Sequence, residues 1–508
     1  MQGQTYQITD PADIDAVVSR LDLAFESLDV SETSTTFEVY DSFDWRLYRK
    51  GWQLIRQHQH YAIKRCADDQ TVADATLDTA KPRPFHWDFP ASGFSRCLEP
   101  VLEMRALLPV AVVTRQSTLL DVRNTDAKTV VRLAIDRFGI NAGDLPIIRC
   151  RLLPVRGYEK EAGEVAQALD EMELAPTQGS PVMAGLEQSG ITPGGYSSKI
   201  NVTLSPDMPA AAAVHHIMAS LVATMQVNLP GLREDIDSEF LHDFRVAARR
   251  ARSLLSQIEG AFDDETTATL QRQLKAIGAM TGNVRDLDVY LLKKTEYSDL
   301  VPDFLKPGVV QLFQTLQRKR RYAKDRMVKA MAGDHFAAAM QAMQAFVQSD
   351  PSDLSAGKAG SHPIGAIAMA SIYKRFRRVL KNGRRIDATA PDSQLHALRI
   401  HCKKLRYLLE FFASLFPEEQ MKGLIKQLKQ LQDNLGDFND LSVQQDFLTQ
   451  LLAAIKPANA QAVVMSAAIG GLVSRLYASH STVREQFMDV FARFDSPPNR
   501  KQFKTLFA

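Results

Sequence analysis

The segment from Leu241 to Arg252 reads Leu-His-Asp-Phe-Arg-Val-Ala-Ala-Arg-Arg-Ala-Arg. It returns 154 residues later, from Leu395 to Arg406, as Leu-His-Ala-Leu-Arg-Ile-His-Cys-Lys-Lys-Leu-Arg. The offset holds without a gap into a second block. Leu274-Lys275 aligns with Leu428-Lys429, Gly282 with Gly436, and Asp286 to Val289 with Asp440 to Val443. The later part of the chain therefore holds two copies of one unit, about 209–347 and 363–500, separated by the polar stretch 348–362. A charge pattern kept in both copies points to a shared partner of opposite charge more than to packing.

On a helix, His242, Arg245, Arg249 and Arg252 fall at i, i+3, i+7 and i+10, which is one face. His396, Arg399, Lys403 and Arg406 repeat the spacing, and Arg250 and Lys404 sit beside the stripes. Each stripe covers about 15 Å of helix. Val246, Leu254 and Leu255 flank the first stripe, and Leu398, Leu405, Leu408 and Leu409 the second, so each borders a packed face. Like charges at these spacings repel, so each stripe needs acidic neighbours or an anionic ligand. The next helix adds Arg272 and Lys275 in one copy and Lys426 and Lys429 in the other. Further rows lie at Arg318, Arg321 and Lys324, and at Lys374, Arg377 and Lys381. With antiparallel packing these rows would line an elongated basic groove, and the planar fork of Arg suits phosphate. A single such stripe is more often a solvated face, but the gap-free duplication favours a site.

The histidines lack the i, i+4 pairing and acidic support of a helix metal site, so donation to phosphate or fixing of an Arg is the expected role. Asp286 and Asp440 read as carboxylates that hold Arg or Lys in place or cap a helix. Gly282 and Gly436 read as turns or helix ends.

At 508 residues the chain is too long for one core, and two to four domains are expected. Its net charge of +2 hides an asymmetry. Residues 1–200 carry 21 Lys+Arg against 28 Asp+Glu, net −7, leaving +9 for 201–508. A basic half points to a polyanion: nucleic acid, polyphosphate or anionic lipid. Cys66, Cys97, Cys150 and Cys402 are scattered, which argues against a zinc site or disulfide framework. The polar, acidic start is no signal peptide, and no unbroken apolar run reaches the roughly 18 residues of a membrane helix. A reducing cytoplasm is the expected location.

Residues 1–160 read as mostly β. The runs Phe37–Tyr40, Trp45–Tyr48, Trp52–Arg56, Val110–Thr114 and Val130–Ile135 serve as strands, with a link at Asp126 to Lys128. A helix is expected over 160–175 and a loop over 176–195. From about Met208 the period becomes helical. Segments are expected at 209–228, 236–259, 264–280, 285–294, 303–332, 334–347, 363–382, 392–414, 418–433, 439–455 and 459–495, with Asp237 and Asp392 as caps.

The basic motif, the block Gly282-Asn283-Val284-Arg285-Asp286-Leu287-Asp288-Val289 and the second copy through Tyr407 together resemble the CHAD family, the conserved histidine α-helical domain, over about 209–500. That resemblance implies two four-helix repeats about a pseudo-twofold axis. It also implies a basic channel that binds inorganic polyphosphate, and association with polyphosphate granules. The positions that match its basic motif are His242, Arg245, Arg249, Arg250, Arg252, His396, Arg399, Lys403, Lys404 and Arg406. Arg272, Lys275, Lys426 and Lys429 match it less closely.

Residues 40–56 and Ser198-Lys199 resemble the CYTH or triphosphate-tunnel family, which often precedes CHAD. The Glu-x-Glu-x-Lys strand of active members is missing, and Arg149-Cys150-Arg151 stands where that family has acidic strands. Phosphoryl transfer of that kind needs carboxylates to hold magnesium against triphosphate. Without them such a barrel could still present Arg46, Arg56, Arg105, Arg115 and Arg132 to an anion.

The expected molecule is thus an α+β multidomain protein. Residues 1–205 form a degenerate CYTH-like, antiparallel, barrel-like domain, and residues 206–508 an all-α CHAD bundle. It binds inorganic polyphosphate without catalysis, cofactor or metal. The alternatives are a metal-dependent triphosphatase in the first domain and nucleic-acid binding by the basic helices. The scarcity of aromatic residues for stacking weighs against nucleic acid.

Overall fold

The computed structural model describes residues 4–10, 12–24, 27–78, 81–141, 146–456 and 460–508. The chain divides into two compact units, Met1–Ser197 and Ser198–Ala508.

The first unit is built on one antiparallel sheet. Its strands are β1 (Thr5–Ile8), β2 (Ser27–Asp41), β3 (Trp52–Gln57), β4 (His60–Arg65), β5 (Thr71–Thr76), β6 (Leu108–Arg123), β7 (Thr129–Ile140), β8 (Ile147–Pro154) and β9 (Ala175–Pro176). They run in the order β5-β4-β3-β2-β6-β7-β8-β1-β9, so among the described residues the sheet has edges at β5 and β9. The expected link between the two long strands is a turn in which the Asn124 side-chain oxygen accepts from the amides of Asp126 and Lys128, both at 3.1 Å. Helices α1 (Ala12–Ala24), α2 (Arg46–Arg49), α3 (Gly93–Leu102), α4 (Glu159–Glu171) and α5 (Pro181–Gln188) complete the unit. One apolar layer holds Val17 of α1, Val165 and Leu169 of α4, and Leu133, Ile148, Cys150 and Leu152 of the sheet.

Two expectations for this unit fail. Trp45–Tyr48 is not a strand. The buried Asp41 carboxylate accepts from the amides of Ser42 (2.7 Å), Leu47 (3.0 Å) and Tyr48 (2.9 Å). Those bonds take up backbone donors that a ladder would need and close the chain into α2. Residues 176–195 are not all loop, because Ser180 caps α5 through the Met183 amide and Val182 and Leu186 enter the core.

The second unit is helical: α6 (Ala210–Glu234), α7 (Ser238–Gln257), α8 (Asp264–Leu292), α9 (Lys294–Asp299), α10 (Lys306–Met331), α11 (Asp334–Gln348), α12 (Ile364–Gly383), α13 (Asp392–Phe411), α14 (Glu418–Ala454), α15 (Ala460–Phe494) and α16 (Pro497–Phe507). The starts of α6, α7, α8 and α10 and those of α12, α13, α14 and α15 lie 154 residues apart, pair by pair. Pro209 bridges its own counterpart, Pro363. Around that bridge the bonds are reciprocal: the Ala210 amide donates to the His362 carbonyl (2.9 Å), and the Ile364 amide to the Met208 carbonyl (2.8 Å).

Gly282 and Gly436 are neither turns nor helix ends. Each lies inside a continuous helix, so 264–280 with 285–294, and 418–433 with 439–455, fuse into α8 and α14. Asp237 caps α7 through the amides of Glu239 (2.9 Å) and Phe240 (3.3 Å). Asp392 does not cap α13. It is that helix's first residue, and its carboxylate is held by Arg484. By length and mean hydropathy α6 and α15 reach what a membrane span needs, although polar residues interrupt both.

Candidate anion-binding site

The two stripes lie on α7 and α13, which pack against each other. Arg249 Nε donates to Tyr407 Oη (2.9 Å), Arg250 Nη2 to Glu410 Oε2 (2.9 Å), and Gln257 Nε2 to the Lys404 carbonyl (3.2 Å). All three contacts fall in the second half of each helix. Each helix also turns an apolar face inward. Phe244, Ala247, Ala251 and Leu254 are buried on α7, and Leu398, Cys402, Leu405 and Leu409 on α13.

Arg249 is the hub. Its charge acts on His242 and Arg245 of its own helix and on Arg399 and Lys403 of the facing helix. Burial, then the charges of Arg399 and Arg249, push the Lys403 ammonium down to about 8. Burial also lowers the guanidinium pKa values of Arg245 and Arg399, with Arg249 adding to the effect. His242 is lowered by burial and by Arg285, against the pull of Glu239 and Asp243. Four cationic side chains from two helices are thus held together at a cost in charge repulsion.

Acidic and polar groups orient these cations without neutralising them all. Arg245 Nη1 donates to the Gly278 carbonyl (2.9 Å) and Thr281 Oγ1 (2.7 Å) on α8. Arg399 reaches Asp440 at 3.4 Å, the role expected of that carboxylate, while its Nε is buried without a partner. His396 Nδ1 lies 3.2 Å from Asn439 Oδ1, and its ring packs on Phe438. Arg285, overlooked in the sequence reading, donates to the Ser238 carbonyl (3.3 Å) and acts on both His242 and Arg245. Its counterpart in the second copy is Asn439, so the repeat carried no charge signal for it.

The remaining expected residues divide. Arg250 also donates to the Ser198 carbonyl (2.9 Å), and Arg406 donates to Glu410 (2.6 Å), so both clasp a buried-side carboxylate. Arg272, Lys275, Lys426 and Lys429 are exposed on α8 and α14. Lys404 belongs to a different flank of α13. Burial lowers its pKa first, then Arg375, Arg378 and Arg252. His401 stands there too, 3.3 Å from Arg375 Nη1. In the first unit the five arginines expected to face an anion are engaged otherwise. Arg46 and Arg105 pair with Asp44, Arg56 with Glu38, Arg115 with Asp136 and Arg132 with Asp121. Among the described residues no group of three His, Cys, Asp or Glu is placed to hold a metal ion.

Residues 216–449 match the family model of the CHAD domain, and the chain carries a CHAD domain there. Two uncharacterized proteins of Mycobacterium tuberculosis, from strains CDC 1551 / Oshkosh and ATCC 25618 / H37Rv, are each 24% identical over 310 residues, covering 57% of this chain. The match spans 58% of those relatives' own length. Among solved structures, the CHAD domain from the plant Ricinus communis is 22% identical over 58% of this chain and 96% of its own, with a TM-score of 0.48. PptA from Streptomyces chartreusis is 16% identical over 56% of this chain and 99% of its own, with a TM-score of 0.45.

Proposed function

We propose that the helical unit binds inorganic polyphosphate, without catalysis, in a basic channel between two four-helix repeats related by a pseudo-twofold axis. The carrying observation is the meeting of Arg249 with Arg399 and Lys403 across the two copies. Like charges gathered from two helices lower each other's pKa values, and a chain of phosphates relieves that repulsion along its length. The reciprocal bonds about Pro209 and Pro363 support the twofold reading, because each strand segment meets its own equivalent. On this reading the first unit is a degenerate CYTH-like domain, and the protein works at polyphosphate in the cytoplasm.

Charge reversal tests the proposal. Arg249→Glu combined with Arg399→Glu is expected to weaken polyphosphate binding by roughly a hundredfold or more, since a hydrogen bond to a charged group contributes about 1.5–3 kcal/mol. Helical circular dichroism should stay unchanged. Pull-down on long-chain polyphosphate with RNA and DNA as competitors separates the readings: nucleic acid that displaces polyphosphate efficiently would favour a nucleic-acid partner instead. Unchanged capture by the double variant would remove the channel from the account.

A further inference from the structure

Helix α10 buries one side and leaves the other to solvent. Leu312, Leu316, Ala323 and Met327 enter the core. The cations on the inward side are taken up. Arg320 is clasped by Asp235 and Asp288, and Lys324 lies 3.6 Å from Asp235. Arg318, Lys319, Arg321, Arg326 and Lys329 are exposed. Among the described residues none of these five pairs with a carboxylate, and Arg318 Nη2 donates only to Thr315 Oγ1 (3.3 Å). Of the row expected at Arg318, Arg321 and Lys324, then, only Lys324 has an acid to meet. Like charges gathered on one helix repel, and no carboxylate is drawn in to offset them.

Tyr322 stands in the middle of this surface, 74% exposed. Arg318, Tyr322, Arg326 and Lys329 fall at i, i+4, i+8 and i+11, a row about 16 Å long, with Lys319 beside it. The scarcity of aromatic residues that weighs against nucleic acid at the two stripes does not extend to α10. Here a ring open to solvent sits between two arginines.

We propose that this face of α10 is a docking surface for single-stranded RNA. The cations meet the phosphates and Tyr322 stacks on a base, the combination that holds single strands with little sequence preference. Two other polyanions fit less well. Polyphosphate has no base to cover the ring. A bilayer surface asks for a broad apolar strip beside the cations, and this row offers one tyrosine among three charges. Asp325, three residues beyond Tyr322, is the one acid in α10 and is exposed. It repels a backbone phosphate but accepts from a ribose 2′-hydroxyl, which favours RNA over DNA. The surface shares no residue with the cations of α7 and α13, so binding here does not depend on polyphosphate there.

Fluorescence anisotropy of a short labelled oligouridine with the full chain tests this surface. Saturable binding that weakens as salt rises is expected. Tyr322→Ala should weaken it about tenfold, whereas Tyr322→Phe keeps the ring and should bind like the wild type. Arg318→Ala with Arg326→Ala should lower the log–log salt slope by about 1.4 units. These side chains are exposed, so helical circular dichroism should be unchanged in each variant. Tyr322→Ala should capture long-chain polyphosphate as the wild type does, and the tenfold Tyr322 effect on RNA should survive in the Arg249→Glu, Arg399→Glu background. Absence of oligouridine binding, binding that Tyr322→Ala leaves intact, or loss of the Tyr322 effect in that background would each overturn the proposal. Oligodeoxyuridine bound as tightly as oligouridine would overturn the assignment to RNA, and anionic phospholipid vesicles that displace the oligouridine would overturn it in favour of a membrane.

Discussion

Lys403 differs from its counterpart, Arg249, in one way that matters for binding: it can lose its charge near physiological pH. Burial, Arg399 and Arg249 hold its pKa at about 8. A bound polyanion favours the ammonium form, so binding raises that pKa and takes up a proton. Affinity is then full below pH 8 and falls as pH rises through the free-protein value. The expected loss is about tenfold between pH 7 and pH 9. Polyphosphate titrations at those pH values check it. Lys403→Arg should flatten the profile, since a guanidinium stays charged throughout. An equally steep profile in the variant would assign the titration elsewhere. At this scale the sequence was readable in part. The stripe spacing identified Arg245, Arg249, Arg399 and Lys403. It could not separate Arg249 from Arg250, adjacent and chemically identical, because the difference lies in what each meets. Glu410 and the Ser198 carbonyl, distant in sequence, tie up Arg250.

At the scale of elements, apolar periodicity located the main helices, and local chemistry misplaced their ends. Gly282 and Gly436 sit in polar stretches that look like breaks, yet packing carries α8 and α14 through them. At Gly282 a Cβ would make only ordinary van der Waals contact, 3.7 Å from Arg245 Nη1. Gly436 has no atom within 4 Å of such a Cβ and no positive φ. Gly436→Ala is therefore expected to stabilise the protein by about 0.5–1 kcal/mol, read as a higher denaturant midpoint in equilibrium unfolding. A loss of stability would show that the helix bends or opens there. The short α2 was illegible for the opposite reason. Its aromatic residues favour strand, and only the buried Asp41 carboxylate, gathering three amides, turns the chain.

Over the whole molecule, duplication carried more information than any single motif. It gave the helix order twice, and the helices keep the 154-residue offset from start to start. The charge asymmetry set the sign of the proposed partner. What it missed is where charges are cancelled: the exposed-looking arginines of the first unit are paired, while the unpaired Arg149 hides in an apolar-looking strand. The charge-reversal and pH experiments bear on parts of this arrangement. The central claim, a polyanion held by cations from both copies, is tested most directly by the affinity of the full chain for long-chain polyphosphate across a salt series. By analogy with nucleic acids, each phosphate contact should add nearly one unit to the log–log slope. The account predicts a steep slope in the wild type, shallower by about two units or more in the Arg249→Glu, Arg399→Glu variant. A flat salt dependence, or the same slope in both proteins, would contradict it.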